Sequence, residues 1–454
     1  MALRRSARRC RPATRPALTW QRQDGTGDLE RLRAHEASFL AQLQVNRRPP
    51  AVRVEWTSRR VSRRSGVHVR TGRFLSPLAH LLPPEARWAH VQLVSPPPGA
   101  PPVRGIALHF AATADQTFVL RRRLLAEPLL AEHGIASLLI MPAFYGLRRP
   151  AAQTLHYTRT LTDFCLMTHS TIAEGWVLSD WARALAAPGA EFAGARLGVT
   201  GVSMGGAMAA IVAAMSLGPV AVSPCLGTWT GAGVYTDGGL APQVAWRALA
   251  AERGGSRVAA RAWVRSVLEH QEVGALVAAL SGVPGQGPRS LVMCNAVDDA
   301  YVAAKEAQHL FAVLAPTCAP GDAVHRWIAG GHVTSVLGRA HTFVETCVES
   351  FDILDARIAA DEAAELRAAA EAAGDAPPRA AEVQAEAAQS RARGRADDAA
   401  AQAAGAQAAA NEAAAEAAGR RGDDGAEAAD AAVLAEMAAA GSPAVALAAA
   451  RARL

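Results

Sequence analysis

The sequence predicts an α/β fold in which helices cover both faces of a mostly parallel β-sheet. Two observations lead to this prediction. Short apolar runs alternate with longer stretches of helical periodicity through the middle of the chain. Hydrophobic residues make up 50% of the 454 residues and charged residues 19%, which is apolar enough for a large core. One large α/β domain with a tail at each end accounts for this pattern.

The predicted strands and helices alternate in chain order. Helices are expected over residues 116–133, 158–187 and 204–216, with further helical patterns after each of the last two strands. Ligands of such sheets bind at the carboxyl ends of the strands, so the chemistry is sought in the loops there. The predicted strands are Val103–Phe110, Ile135–Met141, Arg196–Val202, a short strand opening at Val220–Val222 and ended by Pro224, Ser290–Ala296 and Ala323–Ile328.

A long uncharged segment, Leu197–Thr236, resembles a membrane span in hydropathy alone. It contains several glycines and a proline, and it divides into strand, turn, helix and strand. A central parallel strand and the helix beneath it are buried on every side, so they form continuous apolar runs. The segment is therefore predicted to be core, and no transmembrane span is expected.

The turn after the strand Arg196–Val202 has the pattern G-x-S-x-G, with Ser203 between Gly201 and Gly205. A serine on a sharp strand-to-helix turn needs small neighbours, because a side chain two residues away would collide with the adjoining backbone. The turn exposes the hydroxyl and directs the N-terminus of the next helix at it. Ser203 is predicted to be a nucleophile; the alternative is a small residue in a tight turn.

A nucleophilic serine needs a base that is oriented by a carboxylate. In an α/β-hydrolase fold the acid and then the histidine follow the serine, each beyond a late strand. Here the candidates are Asp299, preferred over Asp298, and His332. Either aspartate is alternatively a helix N-cap and His332 a structural turn histidine. The gap before the acid predicts a small helical cap insertion at about residues 226–289.

Seven motifs together carry a family resemblance: His109–Asp115, Arg121–Arg123, Phe144–Pro150, Thr200–Gly206, Pro224–Leu226, Asp299–Tyr301 and Gly330–His332. With them, the sequence resembles the α/β-hydrolase domain-containing protein 18 family over about residues 30–355. The resemblance implies an α/β-hydrolase fold with Ser203 as nucleophile, Asp299 as acid and His332 as base. It also implies a mitochondrial protein that hydrolyses acyl lipids, with cardiolipin-type phospholipid as the suggested substrate.

The sequence departs from the family at two places. The family loop after the strand Val103–Phe110 is richer in glycine than Ala111–Ala114. The segment between Pro224 and Ser290 is shorter than the family's often long insertion, which predicts a smaller cap.

The predicted reaction is hydrolysis of an acyl ester through an acyl-enzyme, without metal or cofactor. The backbone amide of Met204 and one near Ala111 or Ala112 are predicted to hold the oxyanion. The expected partner is a small-molecule or lipid ester, with peripheral membrane contact left open. The alternatives are a thioesterase or peptidase on the same fold and a non-catalytic binding module.

Two groups of side chains have open roles. Arg148 and Arg149 are expected on a solvated face, with a phosphate headgroup as the alternative partner. The tryptophans Trp176, Trp181, Trp229 and Trp246 are expected mostly in the core, with the wall of an acyl pocket as the alternative.

The two ends of the chain differ from the middle. Residues 1–28 form an Arg-rich extension that lacks an acidic residue before Asp24 and an apolar signal region. This suits a mitochondrial transit peptide; a chloroplast transit peptide and an Arg-biased terminus of a cytoplasmic protein are the alternatives. Residues 356–454 form an Ala-rich tail expected to be loose helix or disorder, with a coiled coil as the alternative.

Composition argues against a nucleic-acid-binding protein and against a zinc site. The net charge is +6, but the arginines are densest in the first seventy or so residues and thin out through the apolar centre, so no nucleic acid is expected as a partner. The six cysteines are scattered without a Cys-x-x-Cys pair, which favours a reducing compartment and gives no zinc site.

Overall fold

A nine-stranded sheet forms the centre of the structure, a computed structural model that describes residues 25–28, 30, 32–34, 48–62, 65–269 and 289–373. In chain order the strands are β1 Glu55–Val61, β2 His68–Leu75, β3 Trp88–Ser95, β4 Gly105–Phe110, β5 Ile135–Ile140, β6 Arg196–Val202, β7 Val220–Cys225, β8 Arg289–Ala296 and β9 Ala323–Ile328. Across the sheet their order is β1-β2-β3-β5-β4-β6-β7-β8-β9.

The sheet is mostly parallel, as the sequence predicts. Strands β4 to β9 run parallel to their neighbours in this group, whereas β1, β2, β3 and β5 pair antiparallel in that order. Every residue of β4, β5, β7 and β8 is buried. This burial explains why the central strands appear in the sequence as continuous apolar runs.

Helices lie on both faces of the sheet. The close approach of α3 puts Gly175 against the Phe110 ring, and α10 places the Phe351 ring against Gly105 and Gly198. Gly105 and Phe110 point to opposite faces, because residues alternate along a strand. The helices are α1 Val119–Arg121, α2 Glu127–His133, α3 Leu161–Ala186, α4 Met204–Met215, α5 Gly231–Thr236, α6 Trp246–Glu252, α7 Arg257–Glu269, α8 Ala304–Leu314, α9 His332–Gly338 and α10 Ala340–Ala373, with a π-helical turn Arg122–Ala126 between α1 and α2.

Several element boundaries differ from the prediction. The antiparallel strands β1 to β3 were not predicted. The prediction that Pro224 ends its strand is wrong, because β7 continues to Cys225 and Pro224 pairs with Gly201 of β6. The pairing of β7 with β8 skips Ser223 and Pro224, so the missing N–H of the proline falls at an interruption of the ladder. The bounds of β6 and β9 agree with those predicted.

Helices α5 to α7 lie in the insertion expected between β7 and β8, although residues 270–288 are outside the described part. The uncharged segment Leu197–Thr236 divides into β6, α4, β7 and α5, as expected for core. Among the described residues, no helix combines the length and apolar character needed to cross a bilayer.

The predicted tails are described only where they meet the domain. Residues 25–28 lie against α3, where the backbone amides of Leu161 and Thr162 donate to the carbonyls of Gly25 and Thr26. Helix α10 crosses the boundary predicted at residue 355 and is described as far as Ala373. Residues 1–24, which carry most of the predicted transit peptide, and 374–454 lie outside the described residues.

Candidate active site

Ser203 lies in the tight turn between β6 and α4 with backbone angles φ 58° and ψ −121°. A residue other than glycine rarely adopts a positive φ, and such strain clusters at functional sites. The glycines of the turn allow this conformation, because the surrounding backbone leaves no room for a Cβ at their positions. A Cβ on Gly201 would lie 2.3 Å from the carbonyl oxygen of Gly205, and one on Gly206 would lie 2.8 Å from that of Cys225. The close packing predicted from the G-x-S-x-G pattern is confirmed.

The structure joins the serine to a histidine and a carboxylate, although the three are distant along the chain. The imidazole Nε2 of His332 lies 2.8 Å from Ser203 Oγ, and its Nδ1 lies 2.6 Å from Asp299 Oδ2. His332 begins α9, just after β9, and Asp299 follows β8. All three residues therefore lie at the carboxyl edge of the parallel strands, where the sequence places the chemistry.

The two candidate aspartates occupy different environments. The Asp299 side chain is 2% exposed, and its Oδ1 accepts hydrogen bonds from the backbone amides of Tyr301 and Val302, both at 2.8 Å. Asp298 is exposed, and its backbone amide donates to the Gly330 carbonyl. Asp299 is thus held by two amides with its second oxygen on the imidazole. Of the two candidates, the structure brings Asp299 to the histidine and leaves Asp298 exposed.

The predicted oxyanion amides belong to two segments that meet at the serine turn. Met204 is the first residue of α4, so its N–H has no carbonyl partner inside the helix. Ala111 and Ala112 follow β4, and Ala111 is fully buried. A Cβ on Gly205 would lie 2.5 Å from the carbonyl oxygen of Phe110 and 2.8 Å from that of Ala111. The end of β4 and the start of α4 therefore touch at the turn that carries Ser203.

Two buried tyrosines contact the Met204 side chain and the loop after β4. The Tyr145 hydroxyl is 4.0 Å from the sulfur of Met204, and burial raises the pKa of Tyr145 above its ordinary value of 10. Burial likewise raises the pKa of Tyr235, which hydrogen-bonds the Thr113 side chain. His156 lies beside Tyr145, and burial lowers its pKa from 6.5 to about 4. These three side chains are neutral at pH 7.

The hypotheses on Arg148 are both wrong, because this residue is fully buried. Its guanidinium makes a two-point ion pair with Glu174, with Nη1 at 2.7 Å and Nη2 at 2.6 Å from the carboxylate oxygens. It also donates to the carbonyls of Ala86 and Met141. A buried guanidinium needs such partners, so Arg148 neither faces solvent nor is free for a phosphate. Arg149 is exposed, as expected.

The tryptophans mainly pack in the interior. Trp176 and Trp246 are buried, and Trp181 and Trp229 are partly buried against the main core. In the described part of the chain, no group of three or more His, Cys, Asp or Glu side chains is arranged to hold a metal ion.

Sequence reasoning gave no role to Tyr301, although it lies within a motif of the resemblance. Its ring faces the His332 imidazole at 5.1 Å between centroids, inclined by 38°. The ring also packs on the insertion, because a Cβ on Gly239 would lie 2.7 Å from it. Tyr301 therefore connects the insertion to the histidine. In the sequence, its position two residues after Asp299 could have indicated this contact with the site.

The chain is similar to a protein-family model and to solved structures of other proteins. The family model described as alpha/beta hydrolase domain containing 18 matches residues 19–272. Acetyl xylan esterase 1 from Thermoanaerobacterium sp. is 10% identical, with a TM-score of 0.43, covering 73% of this chain and 96% of that one. An esterase from Pyrococcus furiosus is 13% identical, with a TM-score of 0.41, covering 67% of this chain and 96% of that one.

Proposed function

This chain belongs to the alpha/beta hydrolase domain containing 18 family, and on that premise we propose that it is a serine-dependent hydrolase of acyl esters. Ser203 is the proposed nucleophile, His332 the base and Asp299 the acid. The observation that carries the proposal is the unbroken series of hydrogen bonds from Asp299 Oδ2 through the imidazole to Ser203 Oγ. Serine, base and orienting carboxylate in mutual contact are what nucleophilic acyl transfer requires.

The proposed mechanism uses one imidazole tautomer of His332. An ionised carboxylate can only accept, so Nδ1 of His332 carries the proton that points to Asp299. Nε2 then has a free lone pair directed at the Ser203 hydroxyl. In the proposed first step Nε2 takes the hydroxyl proton as Oγ attacks the ester carbonyl. Asp299, held by two backbone amides, keeps the ring in place and stabilises the imidazolium.

The developing negative charge needs donors that are already in position. The N–H of Met204 and an amide of the segment Ala111–Ala112 are the proposed donors, at the N-terminus of α4. Fixed donors of this kind are each worth roughly 10²–10³ in kcat. The imidazolium proton then passes to the leaving alcohol. Water, deprotonated by the same Nε2, attacks the acyl-enzyme and releases the acid and Ser203.

The proposal is tested by steady-state hydrolysis of a short-chain p-nitrophenyl ester. We expect Ser203→Ala to abolish turnover and Asp299→Asn to lower kcat by about 10³–10⁴, because an amide favours the wrong tautomer. Asp298→Asn is the matched control, since it changes a neighbouring exposed carboxylate, and it should retain kcat within about threefold. Equal turnover by Ser203→Ala and the wild type would refute the proposal.

The substrate class and the location of the protein are also proposals. We propose a lipid acyl ester, with a cardiolipin-type phospholipid as the candidate and a mitochondrial location, on the strength of the family resemblance and the Arg-rich N-terminal extension. Release of fatty acid from cardiolipin vesicles at a higher kcat/KM than from phosphatidylcholine vesicles would support this substrate. A preference for short soluble esters over both would contradict it.

A further inference from the structure

We propose that Arg121 is a positioning residue that holds the loop Ala111–Asp115, hereafter the oxyanion loop, in the shape needed to present its amide. The inference rests on the proposed function and extends it, because Arg121 does not itself reach the reacting atoms. It acts through the loop Ala111–Asp115, which follows β4.

One guanidinium connects the two ends of the oxyanion loop. Nε of Arg121 lies 2.5 Å from Asp115 Oδ2, at the end of the loop, and Nη1 donates at 3.0 Å to the carbonyl of His109, in β4 just before the loop. The arginine itself lies in α1, six residues after Asp115. The side chain therefore ties the strand end, the loop end and the following helix together.

The loop between these two contacts is tightly turned. The backbone amide of Asp115 donates to the carbonyl of Ala112 at 3.2 Å, and Ala114 adopts a φ of 71°. This left-handed conformation is unfavourable for alanine because of its β-carbon. A conformation that its own residue disfavours persists only when neighbouring contacts impose it. The Arg121 to Asp115 ion pair is such a contact, and it fixes the residue next to Ala114.

The pair lies where water contributes little. The Arg121 and Asp115 side chains are 7% and 11% exposed. Charges in such an environment interact strongly, and each one offsets the desolvation cost of the other. A rigid, buried cross-link is suited to keeping the backbone path of Ala111 and Ala112 constant while an oxyanion forms.

The next residue offers a matched control. Arg122 makes an ion pair with Glu127 at 3.2 Å, and their side chains are 7% and 8% exposed. Arg122 also donates to Gln92 in β3, away from the oxyanion loop. The two arginines are thus neighbours in sequence with equal burial and one carboxylate partner each. Only Arg121 reaches the oxyanion loop.

The experiment compares Arg121→Lys with Arg122→Lys in the full-length protein. Lysine keeps the charge but cannot make both contacts of the guanidinium fork. For Arg121→Lys we expect kcat on a p-nitrophenyl ester to fall 10- to 100-fold with KM within about threefold, as for displacement of an oxyanion donor. Hydrogen exchange of peptides covering residues 109–118 should be at least about tenfold faster than in Arg122→Lys. Arg122→Lys should leave both quantities within about threefold of the wild type.

The outcomes separate this inference from the proposed function. A wild-type protein that hydrolyses no ester overturns the proposed function. An active wild type with an unchanged kcat in Arg121→Lys overturns the role of Arg121 alone, and equal loop exchange in the two lysine variants overturns it whatever the activity. If Arg121→Lys does not fold, Asp115→Asn against Glu127→Gln gives the same comparison with side chains of unchanged size.

Discussion

Replacing Gly205 by alanine tests whether the contact between α4 and the end of β4 places the Met204 amide. The added Cβ would lie 2.5 Å from the Phe110 carbonyl oxygen and 2.8 Å from that of Ala111, against at least 3.4 Å for ordinary contact. Both obstructing atoms belong to the backbone, so the start of α4 must move by nearly an ångström. We expect a loss of about 1–3 kcal/mol in the free energy of unfolding. A shift of this size should lower kcat by about 100-fold.

The assay pairs urea unfolding with ester hydrolysis and uses Gly338→Ala as the control. Gly338 ends α9, and a Cβ added to it would extend into open space among the described residues. Its replacement should leave kcat unchanged and alter stability by less than about 1 kcal/mol. If Gly205→Ala matched Gly338→Ala in both stability and kcat, the close approach of α4 to β4 would not be what positions the amide.

Two further predictions concern buried charge and pH. Glu174→Gln leaves the Arg148 guanidinium without its counter-charge. The free energy of unfolding in urea should therefore fall by about 3–5 kcal/mol, while kcat of the folded protein stays within about threefold. A loss of stability below about 1 kcal/mol would contradict this prediction. Burial, with the Arg121 charge, lowers the pKa of His109 from 6.5 to about 3. The contribution of His109 to stability is therefore fully present above pH 6.5 and is lost toward pH 3, by about 1.4 kcal/mol per pH unit for the one proton that this side chain binds only in the unfolded chain. His109→Gln should flatten the slope between pH 6 and 4.5, and an unchanged slope would argue against a neutral buried His109.

The parts of the fold that local sequence determines were predictable. The bounds of β6 and β9 agree with the prediction, with Arg196 at the start of β6 and Asp322 directly before β9. The serine turn was predictable for the same reason, since its glycines lie within three residues of Ser203. Close backbone packing over so short a distance leaves a signature in residue type.

Strands β1 and β2 were missed because their burial is weak or irregular. Six of the seven residues of β1 are exposed and it carries Arg59 and Arg60. In β2 only Val69, Gly72 and Phe74 are buried, so the period-two pattern is broken. Such strands are stabilised by pairing with one another across the sheet rather than by their own apolar pattern.

Arg148 shows what sequence reasoning cannot reach. Arg148 and Arg149 are adjacent and chemically identical, yet one is fully buried and the other exposed. The difference depends on Glu174, which lies on α3 and meets Arg148 only when that helix packs on the sheet. Long-range pairing of this kind has no local signature.

The most direct test of the account is to locate a covalent adduct on the folded protein. After treatment with a fluorophosphonate, peptide mass mapping should find one modification, on Ser203, and the Ser203→Ala protein should remain unmodified. His332→Ala should slow the modification by at least about 100-fold, because the hydroxyl loses its base. Modification at another serine, or at equal rates with and without His332, would contradict the proposed chemistry.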